Sequence, residues 1–237
     1  MNFLFNGGCI WGFFEYIGAI QYIKEKGLKI GKLYGVSAGS AIALCVLLDI
    51  DIRELTNFCT HTVNTTKFKS LTEMHIMGCE FVLNKYPAAY KLANNRLYIG
   101  LTNENGFCFK NKYKSNTDLA NAIICSSSIP IVSSYDTICD NHNTIDGGFS
   151  FCQTCIPKNT IVIRPTTPFP MSAIPPTETL QRLLTLLGYR NIEEAIKNKN
   201  IFVGEVWYSD PVFLPLWFYL HRNACMFDRK SILDVHL

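Results

Sequence analysis

A strand that ends in Gly35-Val36-Ser37-Ala38-Gly39 and runs directly into a helix leaves a chain few folds to choose from. The strand-like Leu33-Tyr34 precedes this G-x-S-x-G motif, and residues 41–48 follow it as an unbroken apolar stretch. A serine on so tight a strand-to-helix turn must adopt a strained backbone. Glycines two residues to either side remove the Cβ atoms that would collide there. The turn lifts the hydroxyl out of the sheet and sets it at a helix N-terminus, where backbone N–H groups and the helix dipole favour negative charge. Ser37 is therefore a candidate nucleophile.

Strand and helix signals alternate around this turn. Phe3-Leu4-Phe5 reads as a short buried strand ending in Asn6-Gly7-Gly8, and Phe13, Phe14, Ile17, Ile20 and Ile23 recur at helical spacing up to Lys26-Gly27. Residues 38–48 read as a buried helix, and Asp51 opens another through Phe58 or beyond. Short helical pieces are expected over 72–77 and 79–84. A strand over 96–102 is followed by a turn at Asn105-Gly106 into Phe107-Cys108-Phe109. Residues 118–126 read as a helix ended by Ile129-Pro130, Thr144-Ile145 and 160–163 as strands, and 177–187 and 192–198 as two helices separated at Gly188. The prolines of 165–176 read as a surface connection, or the edge of a lid. This alternation predicts an α/β fold: a three-layer α/β/α domain with a mostly parallel central sheet.

Composition narrows the class further. Of 237 residues, 48% are apolar and 17% charged, which suits one substantial core and excludes disorder. A net charge of +3 is too small for a nucleic-acid footprint. Residues 1–6 lack the charged start of a secretory leader, and no run reaches the ~18 apolar residues of a membrane span. Residues 211–220 come nearest and are broken by Pro215. An intracellular chain, cytoplasmic or peripheral to a membrane, is expected. Its ten scattered cysteines then read as thiols in a reducing compartment. Cys152-x-x-Cys155 has no second pair to complete a zinc site, and no metal or redox role is expected from its sequence context.

An acyl-transfer site needs a nucleophile, a base for its proton and donors for the oxyanion. Asn6-Gly7-Gly8-Cys9-Ile10-Trp11-Gly12 is a glycine-bearing turn between the first strand and the first helix. The backbone N–H groups around Gly7, Gly8, Cys9 and Ile10 are the candidate donors. A dinucleotide loop fits poorly, because Cys9 takes the middle glycine position and no acidic residue ends a second strand. For the base, Asp146-Gly147-Gly148 follows a strand, with glycines that allow a sharp turn. A free aspartate, with a pKa of ~3.9, is a feeble base. Burial would have to raise it.

In this order, the three pieces resemble the patatin-like phospholipase family, which carries a glycine-rich oxyanion loop after its first strand, then G-x-S-x-G, then D-G-G or D-G-A. The matching elements are Gly7, Gly8 and Gly12 in the loop, Gly35, Ser37 and Gly39 in the turn, and Asp146, Gly147 and Gly148. The stretch from Ala120 to Pro130 is similar to the family's A-x-x-A-S-x-A-x-P segment. The resemblance covers residues 2–165 of a single domain, 1–237, and leaves 166–237 as an unassigned helical part. It implies a Ser37–Asp146 dyad acting on acyl esters of lipids such as phospholipids or acylglycerols, with no metal or organic cofactor. Transient contact with the membrane that holds the substrate is also implied. Two positions depart from the family's G-G-G-x-R/K-G loop: Cys9 replaces the third glycine and Trp11 the basic residue. Cysteine at the first of these is also similar to the animal adiponutrin branch. The departures leave open a catalytically weak or silent protein that binds lipid or a partner.

Histidine offers a rival arrangement. An α/β-hydrolase orders its triad Ser, Asp, His, which would make His221 the third member among His61, His75, His142, His221 and His236, with His142 at the pocket rim. The aromatic stretch 206–219, and Trp11, Phe13 and Phe14, are each readable as core or as the lining of a lipid pocket.

Overall fold

The first β-α-β unit sets the frame. β1 (Asn2–Phe5) lies beside β2 (Leu33–Val36), joined by the long helix α1 (Cys9–Glu25), which stops where Gly27 turns to a φ of +59°. In this computed structural model residues 1–65, 71–129, 144–166 and 175–197 are described. From β2 the chain passes through α2 (Ala38–Leu47), α3 (Ile52–Thr65), α4 (Leu71–Leu83) and α5 (Ala89–Ala93) to β3 (Leu97–Asn103). A hairpin then leads to β4 (Gly106–Lys110), and α6 (Asn116–Ser126), β5 (Ile145–Asp146), β6 (Thr160–Ile163) and α7 (Glu178–Lys197) follow. The sheet order is β4-β3-β2-β1-β6, with β1, β2, β3 and β6 parallel and β4 antiparallel at one edge.

Alternating side chains divide this sheet into two faces. Phe3, Phe5, Leu33, Leu97, Ile99 and Ile163 point into the larger core, to which all seven α-helices contribute buried residues. Leu4, Tyr34, Val36 and Val162 point the other way, where Phe151 joins them. Tyr98, Phe107 and Phe109 pack against that cluster, with ring centroids 4.8–6.4 Å apart among Tyr34, Tyr98, Phe107 and Phe109. A short 3-10 turn at Gln153–Cys155 packs on this second side through Cys155, and another spans Gly147–Phe149. The fold is α/β, a mostly parallel mixed sheet with helical elements on both sides.

The short strand β5 decides where the site forms. β2 ends with Val36 opposite Gly100 of β3, and β5 takes over the same edge of β3 with Asp146 opposite Leu101 and Ile145 opposite Thr102. Asp146 therefore occupies the row that the residue after Val36, Ser37, would have entered had β2 continued.

Several elements differ from the periodicity reading. The two helical pieces around 72–84 are one helix, α4. The hairpin loop is Glu104-Asn105, because Gly106 already pairs with Asn103. Gly188 does not divide two helices but lies inside α7. A Cβ there would sit 1.8 Å from the carbonyl oxygen of Glu15, and one on Gly18 would sit 1.8 Å from that of Thr185. The glycines let α1 and α7 cross backbone to backbone. The helix end at Pro130, the segments 206–219 and 211–220, the inner part of the 165–176 connection, and His142, His221 and His236 lie outside the described residues.

Gly188→Ala tests the crossing. Alanine would strengthen an isolated helix by ~1 kcal/mol. Here it should instead destabilise the protein by about 1–3 kcal/mol, since backbone must move to admit the methyl group. A urea midpoint at or above that of the wild type would sink the argument.

Candidate active site

Ser37 sits at the joint between β2 and α2 with a φ of +54°, a region that side chains other than glycine enter at a cost of about 1–3 kcal/mol. The flanking glycines make the joint possible by close approach. A Cβ on Gly35 would lie 2.4 Å from Ser40 Cα, and one on Gly39 would lie 2.1 Å from the Phe5 carbonyl oxygen. Three hydrogen bonds hold the strained residue. Its N–H donates to Ser126 Oγ at 2.9 Å, and its carbonyl accepts from the Ser40 N–H at 2.8 Å and the Ser40 hydroxyl at 2.6 Å.

Across the gap, the Ser37 hydroxyl donates to Asp146 Oδ2 at 2.6 Å. The second carboxylate oxygen accepts from the Gly148 N–H at 2.7 Å, and the Asp146 N–H is tied to the Ser128 carbonyl at 3.0 Å. Both side chains are buried, Ser37 to 6% and Asp146 to 4% residual exposure. Burial raises the Asp146 carboxyl to a pKa of about 7, against the pull of the two hydrogen bonds that favour its ionised form. Gly147 and Gly148 serve proximity. Neither has a positive φ, and a Cβ on Gly147 would lie 2.4 Å from the Gly100 carbonyl.

The opening loop completes the neighbourhood. A Cβ on Gly7 would approach Ser37 Cβ to 3.4 Å, so this backbone lies against the hydroxyl-bearing residue. Gly8 caps α1, Gly12 donates to its carbonyl at 2.8 Å, and Ile10 is buried in the first turn of the helix. Cys9 takes a φ of +46°, the left-handed backbone expected to suit glycine better. The loop reaches that conformation with a side chain in place. Trp11 is half-buried against the larger core.

Sequence reasoning missed two supports. Ser126, inside the stretch 120–130, accepts from Ser37 and donates to the Gly100 carbonyl at 2.7 Å, fastening the serine turn to β3. Its only signal in the sequence was the fourth motif-like segment, 120–130, which gives no role. Pro165 covers the opening loop, so that Cβ atoms on Gly8 and Gly12 would meet its Cγ at 2.2 and 3.2 Å. Thr166 then binds the buried Glu15 carboxylate through its N–H, at 3.0 Å to Oε2, and through its hydroxyl. Two glycines of the loop thus answer to a proline far along the chain.

Beside the loop lies an apolar cavity of about 30 Å³. Ile10, Phe13 and Phe14 of α1, Ala41 of α2, Phe58 of α3 and Met74 of α4 are among its walls. Ala41 stands one helical turn after Ser37 and Ile10 follows Cys9, which puts this cavity next to the serine turn. His75 also lines it and is buried; its ring lies 5.7 Å from that of Phe13. His61 is exposed. Among the described residues, no group of three or more His, Cys, Asp or Glu side chains is placed to hold a metal ion. Nor is any helix there long and apolar enough to cross a membrane.

Removing the Ser126 hydroxyl leaves the buried Ser37 N–H and Gly100 carbonyl without their partner. Ser126→Ala should therefore cost about 1–3 kcal/mol of unfolding free energy, read from urea denaturation; an unchanged midpoint would remove Ser126 from this role.

Comparison with known proteins gives the lineage. The profile of the patatin-like phospholipase family matches residues 3–151. Among solved structures, the type III effector protein ExoU is similar at 10% identity with a TM-score of 0.47, over 83% of this chain and 52% of that one, so the chain spans about half the length of ExoU. No curated protein matches at a significant level. The family profile spans more than half of the sequence and takes in the opening loop, the Ser37 turn and the Asp146 segment: this chain belongs to the patatin-like phospholipase family.

Proposed function

We propose that the chain is a lipid acyl-ester hydrolase in which Ser37 is the nucleophile and Asp146 its base. The observation that carries this reading is the 2.6 Å hydrogen bond from the Ser37 hydroxyl to Asp146 Oδ2 in a buried site. Ser37 Oγ attacks the ester carbonyl carbon as its proton passes to Asp146. The tetrahedral intermediate collapses, the leaving alcohol takes that proton, and an acyl-serine remains. Water, losing a proton to Asp146, then attacks the acyl carbon; Ser37 Oγ leaves and takes that proton back, and the fatty acid is released. The negative oxygen of each intermediate is assigned to backbone N–H groups of Gly7, Gly8, Cys9 and Ile10. The approach of Gly7 to Ser37 supports that assignment.

Two observations favour a dyad over a triad. The hydroxyl and the carboxylate touch directly, leaving no room for an imidazole between them. Burial also lifts Asp146 to about 7, which makes a carboxylate useful as a base near neutrality. The left-handed backbone of Cys9 favours an active loop over a silent one, since the replacement of glycine has not blocked the conformation. The apolar cavity, too small at about 30 Å³ for a whole acyl chain, is assigned to a short stretch of that chain, and transient contact with a lipid surface belongs to the same reading. The packing of α7 against α1 supports one domain that continues past the matched residues.

An alkyl fluorophosphonate should label Ser37, and Ser37→Ala and Asp146→Asn should each lower hydrolysis of short-chain lipid esters by at least about a thousandfold. Because the acting form of Asp146 is the carboxylate, kcat/KM should rise with pH through about 7 and fall about tenfold per pH unit below it. Lipid binding with neither labelling nor turnover would favour the silent alternative. A pH profile flat from 5 to 8 would remove Asp146 as the base.

Filling the cavity separates acyl binding from chemistry. Ala41→Phe should raise KM for esters with long acyl chains about tenfold or more while leaving labelling by a small fluorophosphonate within about twofold. Equal losses for short and long chains would assign the cavity to packing alone.

A further inference from the structure

The segment that leaves Asp146 for β6 carries two cysteines that bracket one 3-10 turn, Gln153–Cys155, and their sulfur atoms lie 3.2 Å apart. Cys152 precedes the turn, its carbonyl accepts from the Cys155 N–H at 3.0 Å, and its Sγ lies 2.9 Å from the Thr154 hydroxyl. Both cysteines are half-exposed, whereas Cys45, Cys59 and Cys79 are buried in the larger core, where burial pushes their thiols well up. No disulfide joins the described cysteines. Phe151, next to Cys152, is anchored in the smaller core, and Cys155 packs against that core, so the turn is held from both ends.

We propose that Cys152 and Cys155 form a reversible dithiol–disulfide site whose reaction partner is a low-molecular-weight disulfide of the glutathione type. The two thiols differ in the direction such a site needs. Hydrogen bonding from Thr154 and Cys155 makes Cys152 the more acidic thiol, while burial makes Cys155 the less acidic one. A thiolate is the attacking species in exchange. Cys152 attacks one sulfur of oxidised glutathione; that S–S bond breaks, a mixed disulfide forms on Cys152, and one glutathione thiolate leaves. Cys155 then attacks the Cys152 sulfur and expels the second. Overall, the pair loses two protons and two electrons, and one glutathione disulfide becomes two glutathione thiols. A zinc site is the rival for a C-x-x-C pair, but the described residues supply these two sulfurs with no third ligand nearby. The site is independent of the hydrolase reading.

The test uses the 237-residue chain, reduced, desalted and exposed to oxidised glutathione at neutral pH. Acid quench, alkylation and cleavage after Phe151 and Lys158 then release a peptide of residues 152–158. In the wild type this peptide should be unalkylated and two hydrogens lighter than its reduced form, and dithiothreitol should restore both alkylation sites. Cys155→Ser should accumulate glutathione on Cys152 about tenfold faster than Cys152→Ser accumulates it on Cys155. A wild-type peptide that still takes up two alkyl groups, or that keeps glutathione without closing, would overturn the proposal. Equal adduct rates in the two variants would overturn the assigned order of attack.

Discussion

The contact between Ser37 and Asp146 rests on one strand, β3. Its edge is shared in sequence by β2 and β5, one running parallel and the other antiparallel. A single β3 register thereby sets both side chains. Gly100 is the pivot. Its residue row pairs with Val36, its carbonyl accepts from Ser126, and the same carbonyl leaves space only for glycine at position 147. A slip of one residue in β3 would turn every side chain of the strand to the opposite face and part the serine from the carboxylate. Two apolar cores, one on each side, resist that slip.

Around this pivot the backbone is packed unusually close, and glycine is the device throughout. Gly35 and Gly39 bring the serine turn against its own helix and the end of β1, Gly8 accepts Pro165, and Gly18 and Gly188 let two helices touch at their carbonyls. Ser37 and Cys9 hold positive φ without being glycine, on the two segments that meet where Gly7 approaches Ser37. Strain concentrated at such a junction is stable only where surrounding hydrogen bonds over-determine the conformation. Ser126 and Ser40 supply those bonds on the Ser37 side.

Electrostatics follows from the same burial. A carboxylate in water is too weak a base for a serine hydroxyl. Here the sheet, α6 and the Gly147–Phe149 turn remove water from Asp146, while Ser37 and Gly148 still donate to it. The loss of water outweighs those hydrogen bonds, which leaves the group near neutrality. The desolvation that tunes the carboxyl is thus a product of the fold, not of the residues adjacent in sequence.

Much of the local structure could be read from the residues. The 2- and 3.6-residue periods located β1, α1, β2, α2, β3, α6 and β6, because each buries one face or all of its surface and its spacing records that. G-x-S-x-G encoded the turn at Ser37, since steric exclusion of Cβ acts over a few residues. Gly188 shows the limit: a glycine in a helix carries the same letter whether it ends the helix or meets a neighbour, and only the approach of α1 distinguishes the two. Ser126 and Pro165 were illegible for the same reason. Their partners lie 89 and more than 150 residues away along the chain, and no local pattern encodes such distances. The sequence alone determined the α/β alternation, the strained serine turn and the residue types available for chemistry, because these follow from sterics and side-chain period within single elements. Tertiary structure alone decided that β5 would continue the row of β2 and that Asp146 would lose its water, because proximity between remote segments is set by sheet pairing and packing.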